Sequence, residues 1–522
     1  MSTPAAPPAS FNLASHLMSR NAARADRIAY IDDRERLSYG ELAKRIRRFA
    51  SVLRERGLRR EERVLLLAHD GVEWPVAFLG ALYAGIVPVA VNTLLTAADY
   101  AYMLAHSRAR AAIVSNALLP MLERALQSAP SDVETVWVIG APETIADRRD
   151  FAADVASAPE ARPAATHADD VAFWLYSSGS TGAPKGTVHT HANAYWTDTL
   201  YAQGVLRLTE NDVCFSAAKL FFAYGLGNAL TFPLSAGATT VLMAERPTPM
   251  AVFRRLAEHR ATVFYGVPTL YAAMLASPDL PVRAALALRL CVSAGEALPR
   301  DIGERFTAHL GVEILDGIGS TEMLHIFLSN RSGSVRYGTT GVPVPGYEIE
   351  LRGEDGRPAA DGDVGDLYVR GPSAALMYWT SRDKSRGTFQ GEWTKSGDKY
   401  VRRDDGFYMY SGRADDMLKV SGLYVSPFEV EGALVQHPAV LEAAVIGKPD
   451  ADGLTKTKAF VVLKPGHAGD AALEDTLKTF VKDKLAPYKY PRSIEFLAEL
   501  PKTATGKIQR FKLREREQAG AP

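Results

Sequence analysis

The stretch VAFWLYSSGSTGAPKGTVHTH, residues 171–191, places a loop of glycine, serine and threonine directly after an apolar segment. The short continuous apolar run at its start is typical of a buried strand. The loop that follows can bury little surface, and ordering its glycines costs more conformational entropy than ordering any other residue type. Packing therefore gives no reason for this composition, which favours a binding role.

The loop has the components of a phosphate-binding site. Backbone N–H groups freed by its glycines can point inward at an anion, and these are Gly179, Gly182 and Gly186. Lys185 adds a positive charge, and hydroxyl groups come from Ser177, Ser178, Ser180 and Thr181. The loop is not a Walker A loop, because that motif requires lysine directly after glycine. The alternative is a plain surface loop, which would not need a proline and a lysine between glycines.

Apolar runs alternate with amphipathic stretches through the larger part of the chain. The segments 63–70, 111–116 and 133–140 have the composition of buried parallel strands. Between them, residues 39–57 carry apolar side chains at helical spacing, as at Leu42, Ile46, Phe49 and Leu53. A second set of such segments follows at 214–227, 239–245, 261–268 and 288–296. This alternation predicts an α/β fold of layered subdomains with mainly parallel sheets.

The pattern changes at about residue 335. Short alternating segments bounded by Gly and Asp predict antiparallel hairpins in a small β-barrel-like part, at 346–356, 365–372 and 406–413. Beyond them, Ser426 and Pro427 open a predicted helix, and strands at 442–450, 458–466 and 493–500 surround a helix at 470–485. We therefore predict a large N-terminal domain, residues 1–413, and a smaller α+β C-terminal domain, residues 414–522.

Composition excludes several classes of protein. The 522 residues exceed one hydrophobic core, and 60 Lys and Arg residues balance 60 Asp and Glu residues, which argues against a nucleic-acid partner. Two cysteines exclude a disulfide framework and fit a reducing cytoplasm. The most apolar run, 76–91, is interrupted by glycine and proline and predicts a buried helix followed by a strand, not a membrane span. Residues 1–17 have no signal-peptide pattern and are predicted to be a disordered tail.

Five motifs in order resemble those of the adenylate-forming superfamily, which comprises acyl- and aryl-CoA ligases, firefly-type luciferases and peptide-synthetase adenylation domains. The motifs are SSGSTGAPKG (177–186), IGSTE (318–322), SGD (396–398), GRADDMLKVSG (412–422) and PKTATGK (501–507). Each motif is moderately specific alone. The resemblance to the superfamily extends over nearly the whole chain. Within the superfamily, KLFFAYGLGN (219–228) and DGIGSTEMLHIFLSN (316–330) are most similar to benzoate-CoA ligases.

The resemblance implies a reaction in two steps. A carboxylate attacks the α-phosphate of ATP to form an acyl adenylate and pyrophosphate, and the thiol of coenzyme A then displaces AMP. Lys507 is expected to bridge the carboxylate and the α-phosphate, Thr321 to bond the α-phosphate, and Glu322 to hold Mg²⁺. The alternatives are that Lys507 is a solvated surface lysine and that Thr321 and Glu322 begin a helix.

The resemblance also assigns the nucleotide contacts and a hinge. Asp398 is expected to accept both ribose hydroxyls, and Arg413 to contact the ribose or a phosphate. The adenine is expected to lie among Gly295, Glu296, Ala297, Asp316, Gly317 and Ile318. Ile318 offers only apolar contact where the family often has an aromatic residue. Asp415 is expected to be the hinge about which a mobile C-terminal domain rotates between the two steps. The alternatives are a turn role for Asp398 and a surface position for Asp415.

By the same resemblance, an acyl pocket is expected from Ala223, Tyr224, Gly319, His325 and Ile326. Small residues at 223 and 319 leave a flat slot, which suits a planar ring without a long tail. The acid is then benzoate, a hydroxy- or aminobenzoate, or a small alicyclic acid. Any of these residues is also readable as plain core, and His325 either bonds the edge of the substrate or only packs.

Three functions remain open on the sequence. The first is a ligase for benzoate, ATP and coenzyme A, with no nucleic-acid or membrane partner and with a homodimer as an alternative to a monomer. The second is an adenylation enzyme that loads a carrier protein, although no carrier domain is attached. The third is a non-catalytic nucleotide sensor, against which the intact Lys507, Glu322 and Asp398 argue.

Overall fold

The structure is a computed structural model that describes residues 4–141, 147–177, 184–414, 416–420, 423–450, 455–485, 489–502 and 508–519. Its elements are numbered here in chain order. The helices up to residue 177 are α1 (Leu13–Arg20), α2 (Tyr39–Glu55), α3 (Glu73–Ala84), α4 (Ala97–Ser107), α5 (Leu119–Ser128) and α6 (Phe151–Ser157). The strands there are β1 (Ile28–Ile31), β2 (Arg36–Ser38), β3 (Arg63–Leu67), β4 (Val87–Ala90), β5 (Ala109–Ser115), β6 (Thr135–Ile139), β7 (Arg149–Asp150) and β8 (Val171–Ser177).

The segment from 184 to 330 is again mixed. Its helices are α7 (His191–Thr197), α8 (Ala223–Leu226), α9 (Phe232–Ala236), α10 (Pro249–Glu258), α11 (Pro268–Ala276) and α12 (Arg300–Leu310). Its strands are β9 (Lys185–Thr190), β10 (Val213–Ser216), β11 (Thr239–Val241), β12 (Val263–Gly266), β13 (Leu290–Ser293), β14 (Ile314–Gly319) and β15 (Ile326–Ser329). Two π-helical segments extend α7 and α8, at Asp198–Gln203 and Gly227–Thr231.

The remainder is richer in strands. These are β16 (Val342–Pro343), β17 (Glu348–Arg352), β18 (Val364–Arg370), β19 (Met377–Tyr378), β20 (Phe389–Gln390), β21 (Trp393–Arg402), β22 (Tyr408–Arg413), β23 (Leu418–Val420), β24 (Leu423–Val425), β25 (Val440–Pro449), β26 (Thr455–Leu463) and β27 (Ser493–Phe496). The helices are α13 (Arg382–Thr388), α14 (Pro427–Val435), α15 (Ala471–Lys484) and α16 (Arg510–Ala519).

Two large sheets, parallel in their centres, form the body of the N-terminal domain. One has the order β19-β9-β8-β4-β3-β5-β6-β7, and the other has the order β16-β15-β14-β13-β12-β10-β11-β1-β2. The antiparallel pairs lie towards the ends of these orders, where β9 pairs with β8 and β19, and where β15 pairs with β14 and β16. The prediction of layered, mainly parallel α/β subdomains is confirmed.

The later part of the chain is built mainly from antiparallel pairs, with a parallel pair between β26 and β27. Strands β17, β18, β20, β21 and β22 form a five-stranded antiparallel sheet, which is the β-rich part that the sequence predicts from residue 335. The smaller C-terminal domain has a sheet of β25, β26 and β27 packed against α14 and α15. Ser426 caps α14 by accepting a hydrogen bond from the Glu429 N–H at 3.2 Å, as predicted.

Helices α2 and α3 show how the sequence pattern becomes packing. The predicted apolar stripe of α2 is buried, with Leu42, Ile46, Phe49 and Leu53 each no more than 2% exposed. Gly80 of α3 faces this stripe, and a Cβ at residue 80 would lie 2.8 Å from Cδ1 of Phe49. Glycine is therefore required for the close approach of the two helices. The apolar run 76–91 is a buried helix followed by a buried strand, as predicted, and no helix in the described ranges has the length and apolarity that crossing a bilayer requires.

The predicted disordered tail ends earlier than expected. Helix α1 begins at Leu13, and its Ala14 and Leu17 are buried against the rest of the domain. Asn12 caps the helix by accepting a hydrogen bond from Ser15 N–H at 3.1 Å. The prediction was wrong over residues 11–17 because four apolar residues at helical spacing are too short a pattern to distinguish a docked helix from a tail.

A buried ion-pair network joins three segments of the C-terminal domain. Arg510 at the start of α16 donates from Nη2 to Oε2 of Glu431 at 2.7 Å, and Glu431 also accepts from the Val445 N–H at 2.7 Å. Arg514 donates to Asp416 at 2.9 Å. The side chain of Arg510 is 20% exposed and that of Glu431 is 9% exposed. The network fixes α16 to α14 and to the chain that enters the domain.

We expect Arg510→Ala to destabilise the C-terminal domain by about 3 kcal/mol, because it leaves Glu431 buried without its cation. The control is Arg516→Ala, since Arg516 pairs with Glu495 at a site where the arginine is 59% exposed and the expected loss is below about 1 kcal/mol. Hydrogen exchange of the backbone amides of α14 and β25, followed by mass spectrometry, measures the opening free energy. Equal exchange in the two variants would contradict the assigned importance of the network.

Candidate active site

Strands β8 and β9 pair as an antiparallel hairpin. Ser177 and Lys185 pair at its loop end, and the predicted phosphate-binding residues between them, Ser178, Gly179, Ser180, Thr181 and Gly182, lie outside the described residues. The hydroxyl of Ser177 is buried and has no hydrogen-bond partner within the described part of the chain. The hairpin therefore holds both ends of the loop at one edge of the eight-stranded sheet.

Lys185 belongs to a cluster of three side chains from distant parts of the sequence. Its Nζ lies 4.0 Å from Oε1 of Glu322 and 4.2 Å from the ring centre of Tyr378. The Tyr378 hydroxyl donates to Oε1 of Glu322 at 2.6 Å. Burial lowers the pKa of Lys185, and the positive charges of Lys384 and Arg413 act in the same direction, whereas Glu322 opposes them. The cluster concentrates charge beside the hairpin.

Thr321 and Glu322 lie on a tight turn between β14 and β15. Met323 N–H donates to the Ser320 hydroxyl at 3.1 Å, and Leu324 has a positive φ of 66°. His189 donates from Nε2 to the Thr321 carbonyl at 2.8 Å, and Ala375 N–H donates to the Glu322 carbonyl at 2.7 Å. The alternative that these two residues begin a helix is wrong, because the chain returns at once into β15.

The residues expected around adenine lie at the carboxyl ends of two adjacent strands. Ser293 of β13 pairs with Asp316 of β14, so the two predicted segments are neighbours: Gly295, Glu296 and Ala297 follow β13, and Asp316, Gly317 and Ile318 lie in β14. Ile318 is half-buried against the aromatic core beneath it. Burial raises the pKa of Asp316 to about 8, although the nearby Ser293 hydroxyl and Leu298 N–H act in the opposite direction. At neutral pH this carboxyl is therefore mainly protonated.

Asp398 and Arg413 are partners on adjacent strands of the five-stranded sheet. They are opposite each other in the pairing of β21 with β22, and Nη1 of Arg413 lies 3.2 Å from Oδ1 of Asp398. The Asp398 side chain is 10% exposed, whereas that of Arg413 is 44% exposed. Asp398 lies inside β21, so the alternative that it is a turn residue is wrong.

Of the predicted acyl-pocket residues, Gly319, Tyr224 and Ile326 lie beside His325, whereas Ala223 packs against the core cluster that includes Leu226. Gly319 pairs with Ile326 across the β14–β15 hairpin, while Ala223 and Tyr224 begin α8. The ring centre of His325 lies 5.5 Å from that of Tyr224, 5.6 Å from that of Tyr201 and 4.4 Å from that of Phe232. Tyr201 and Phe232 were not predicted.

Within the described residues, only one of the two ring nitrogens of His325 has a hydrogen-bond partner. Nε2 lies 3.2 Å from the Tyr224 carbonyl oxygen and 3.2 Å from Oδ1 of Asn228. Burial lowers the pKa of His325 to about 3, so the ring is neutral, and Nδ1 is buried with no partner in the described ranges. Gly227 packs so tightly on this ring that a Cβ at residue 227 would overlap Cδ2 of His325.

Sequence reasoning missed four residues of the site. Asn228 and Tyr201 lie in the two π-helical segments, Phe232 follows the second of these segments, and Tyr378 lies in β19, a strand of two residues. π-Helical turns are rare and occur mainly at functional sites, but no residue pattern announces them. Tyr378 can be identified only from the tertiary structure, because 56 residues separate it from Glu322 in the sequence.

Two further predicted residues, beyond those of the Gly/Ser/Thr loop, cannot be placed. Lys507 and Asp415 lie outside the described residues. Their flanks are placed: Gln509 N–H donates to the Pro501 carbonyl at 2.8 Å, and Lys502 forms an isolated bridge with Ile508. Residues 502 and 508, which flank the segment with Lys507, therefore lie next to each other.

The described residues contain no group of three His, Cys, Asp or Glu side chains that could hold a metal ion alone. Glu322 provides a single carboxylate beside the β8–β9 hairpin. Magnesium commonly takes one or two protein carboxylates and completes its coordination with water and substrate phosphates. The residues present thus fit a magnesium ion that binds together with the nucleotide.

Comparison with known proteins gives the family. Residues 18–379 match the AMP-binding enzyme family, and residues 429–507 match the AMP-binding enzyme C-terminal domain. The chain is 58% identical to the benzoate–CoA ligase of Thauera aromatica over 512 residues, which cover 97% of this chain and 96% of that protein. It is 49% identical to a 4-hydroxybenzoate–CoA/benzoate–CoA ligase of Rhodopseudomonas palustris, with 97% of this chain and 94% of that protein covered.

A solved structure agrees with the sequence relatives. The crystal structure of a benzoate CoA ligase from Burkholderia xenovorans LB400 superposes with a TM-score of 0.91 at 64% sequence identity, and the match covers 97% of this chain and 100% of that one. The fold prediction of a large α/β N-terminal domain with a smaller C-terminal domain is thereby confirmed. With both family domains matched and the relatives aligned over almost their full length, this chain belongs to the AMP-binding enzyme family.

Proposed function

We propose that this protein is an AMP-forming aryl-CoA ligase that acts on benzoate. Benzoate and ATP give benzoyl-AMP and pyrophosphate, and coenzyme A then displaces AMP to give benzoyl-CoA. The observation that carries the proposal is that one β14–β15 connection brings a phosphate-side cluster and an aromatic pocket together. Thr321 and Glu322 lie on its turn, and Gly319 and Ile326 lie on its paired strands.

The first step joins two anions, so the site must supply positive charge where they meet. Lys185 lies at the base of the hairpin, and Arg413 lies close enough to lower its pKa. In the proposed roles, Lys507 adds a further cation between the carboxylate and the α-phosphate, and Thr321 bonds that phosphate. Magnesium bound with the nucleotide at Glu322 would offset charge on the phosphates. Asp398 and Arg413 are then the contacts of the ribose, with the adenine beside Gly295 and Ile318.

Benzoate is the acid that the pocket favours. His325 is neutral and buried, and aromatic rings surround it. The free-energy cost of moving a flat apolar ring into these surroundings is therefore small. The names of the two sequence relatives both include benzoate, and one includes 4-hydroxybenzoate. A hydroxybenzoate is therefore the second candidate, and aminobenzoates and alicyclic acids are weaker ones.

We also propose that the domain boundary and hinge lie at Asp415. On one side, Ala414 N–H donates to the Gly397 carbonyl at 2.9 Å, which ties it to the five-stranded sheet. On the other side, Asp416 accepts from Arg514 of α16 at 2.9 Å. The chain therefore changes its attachment from one domain to the other across residue 415, which supports the division into 1–413 and 414–522.

We expect Lys507→Ala to reduce benzoate-dependent ATP–pyrophosphate exchange by at least about 10²–10³-fold, because it removes a charge placed on the transition state. Thioester formation from premade benzoyl-AMP and coenzyme A should be nearly unchanged. Lys502→Ala is the matched control, since Lys502 pairs with Glu442 on the surface at the other end of the same segment. Equal losses in the two half-reactions would mean that Lys507 is misassigned.

We expect Asp415→Pro to preserve adenylation and to slow thioester formation, because proline fixes φ at the proposed hinge. Asp415→Ala is the control, since it removes the carboxylate without restricting φ. Single-turnover measurements of each half-reaction separate the two effects. A loss of adenylation alone in the proline variant is the outcome that would contradict a hinge at this residue.

We expect benzoate to give the highest kcat/KM in a panel of ring-substituted and alicyclic acids scored by AMP release. One added or missing group in such a pocket changes kcat/KM by about 10–200-fold. Release that requires an added carrier protein instead of coenzyme A would favour the carrier-loading alternative. No acid-dependent exchange with any member of the panel would favour the nucleotide sensor.

A further inference from the structure

We propose that Tyr378 is a positioning residue that sets the divalent-cation carboxylate of Glu322 and keeps Lys185 apart from it. The inference rests on the proposed function, in which Glu322 holds the magnesium ion that accompanies ATP. The role of Tyr378 rests on two contacts with charged side chains. Its hydroxyl contacts Glu322, and its ring contacts Lys185.

The hydroxyl contact fixes the carboxylate. Tyr378 donates to Oε1 of Glu322 at 2.6 Å, and the Glu322 side chain is 15% exposed. A hydrogen bond from a neutral donor to a carboxylate orients it without neutralising its charge. Partners of this kind orient the side chains that bind metals, and their removal commonly weakens metal affinity 10–100-fold.

The ring contact holds the ammonium. Lys185 Nζ lies 4.2 Å from the centre of the Tyr378 ring and 4.0 Å from Oε1 of Glu322, which is longer than a direct hydrogen bond. The aromatic face gives the partly buried cation a favourable contact, while the hydroxyl takes up one acceptor site of Oε1, the Glu322 oxygen that lies 4.0 Å from the lysine. Lys185 and Glu322 therefore keep separate charges for the phosphates and the divalent cation, instead of cancelling each other in a closed ion pair.

Backbone pairing gives Tyr378 a rigid position for these contacts. Strand β19 pairs with β9, which places Tyr378 opposite Thr187. Tyr378 N–H donates to the Ser385 hydroxyl at 3.0 Å, and Trp379 N–H donates to the Gly186 carbonyl at 2.8 Å. Three residues before Tyr378, Ala375 N–H bonds the carbonyl of Glu322 itself. The same short segment thus joins the β8–β9 hairpin to the β14–β15 turn, which carries the carboxylate of Glu322.

The test uses Tyr378→Phe in the full-length protein, because this change removes the hydroxyl and keeps the ring under Lys185. Binding of Mn²⁺ is measured by electron paramagnetic resonance in the presence of α,β-methylene-ATP, which does not react. We expect the Kd for Mn²⁺ to rise on the order of tenfold or more. Benzoate-dependent ATP–pyrophosphate exchange should recover at high Mg²⁺, and thioester formation from premade benzoyl-AMP should not change.

The control is Tyr39→Phe, which removes another buried tyrosine hydroxyl. That hydroxyl donates to the Ala238 carbonyl at 2.6 Å and has no contact with the cluster of Lys185, Glu322 and Tyr378. It should leave the Kd for Mn²⁺ unchanged. If Tyr378→Phe binds Mn²⁺ like the wild type, or if its defect is the same in both half-reactions and does not respond to Mg²⁺, the inference is overturned.

Glu322→Gln separates this inference from the proposed function. If Glu322→Gln loses Mn²⁺ affinity while Tyr378→Phe does not, the positioning role fails and the cation site stands. If Glu322→Gln binds Mn²⁺ normally, the cation site assigned under the proposed function fails, and the role of Tyr378 fails with it. A shift in both variants, larger for Glu322→Gln, is the result that the inference requires.

Discussion

The pairing of β9 between β8 and β19 is the interaction on which the candidate site depends. On one side it closes the hairpin that flanks the Gly/Ser/Thr loop, and on the other it brings the Tyr378 segment beside Lys185. Backbone hydrogen bonds in a sheet set positions more precisely than contacts between flexible side chains. A lysine on a mobile loop would be a diffuse charge, whereas Lys185 is the first residue of a paired strand.

Burial divides the site into a charged side and a neutral side. Around the β14–β15 turn, Lys185 Nζ lies 4.0 Å from Oε1 of Glu322, and both side chains contact Tyr378. On the other side of the turn, His325 has a pKa lowered to about 3 by burial and packs among aromatic rings. The two environments are only a few residues apart in sequence. A reaction that joins the carboxylate of an aryl acid to a phosphate of ATP needs both environments, because the two anionic groups require positive charge whereas the aryl ring requires apolar contacts.

The C-terminal domain is organised by a different kind of contact. Its entry segment and its last helix are held together by Asp416, Glu431, Arg510 and Arg514, with short ion pairs in partly buried surroundings. The segment that contains Lys507, the proposed adenylation lysine, lies immediately before this helix in sequence. The proposed role requires a reproducible position for that segment, and the ion pairs fix the helix that follows it.

The sequence by itself determined the α/β class, the order of strands and helices, the cap of α14 and the positions of the nucleotide motifs. These are local properties, since period, glycine placement and capping residues act over a few neighbours. It did not reveal the docked helix α1, whose pattern is too short to be distinctive. Only the tertiary structure decided that Tyr378 meets Glu322, that Asn228 and Tyr201 reach His325 through π-helical turns, and that His325 is neutral. Those outcomes depend on burial and on contacts between residues far apart in the chain, which no local pattern encodes.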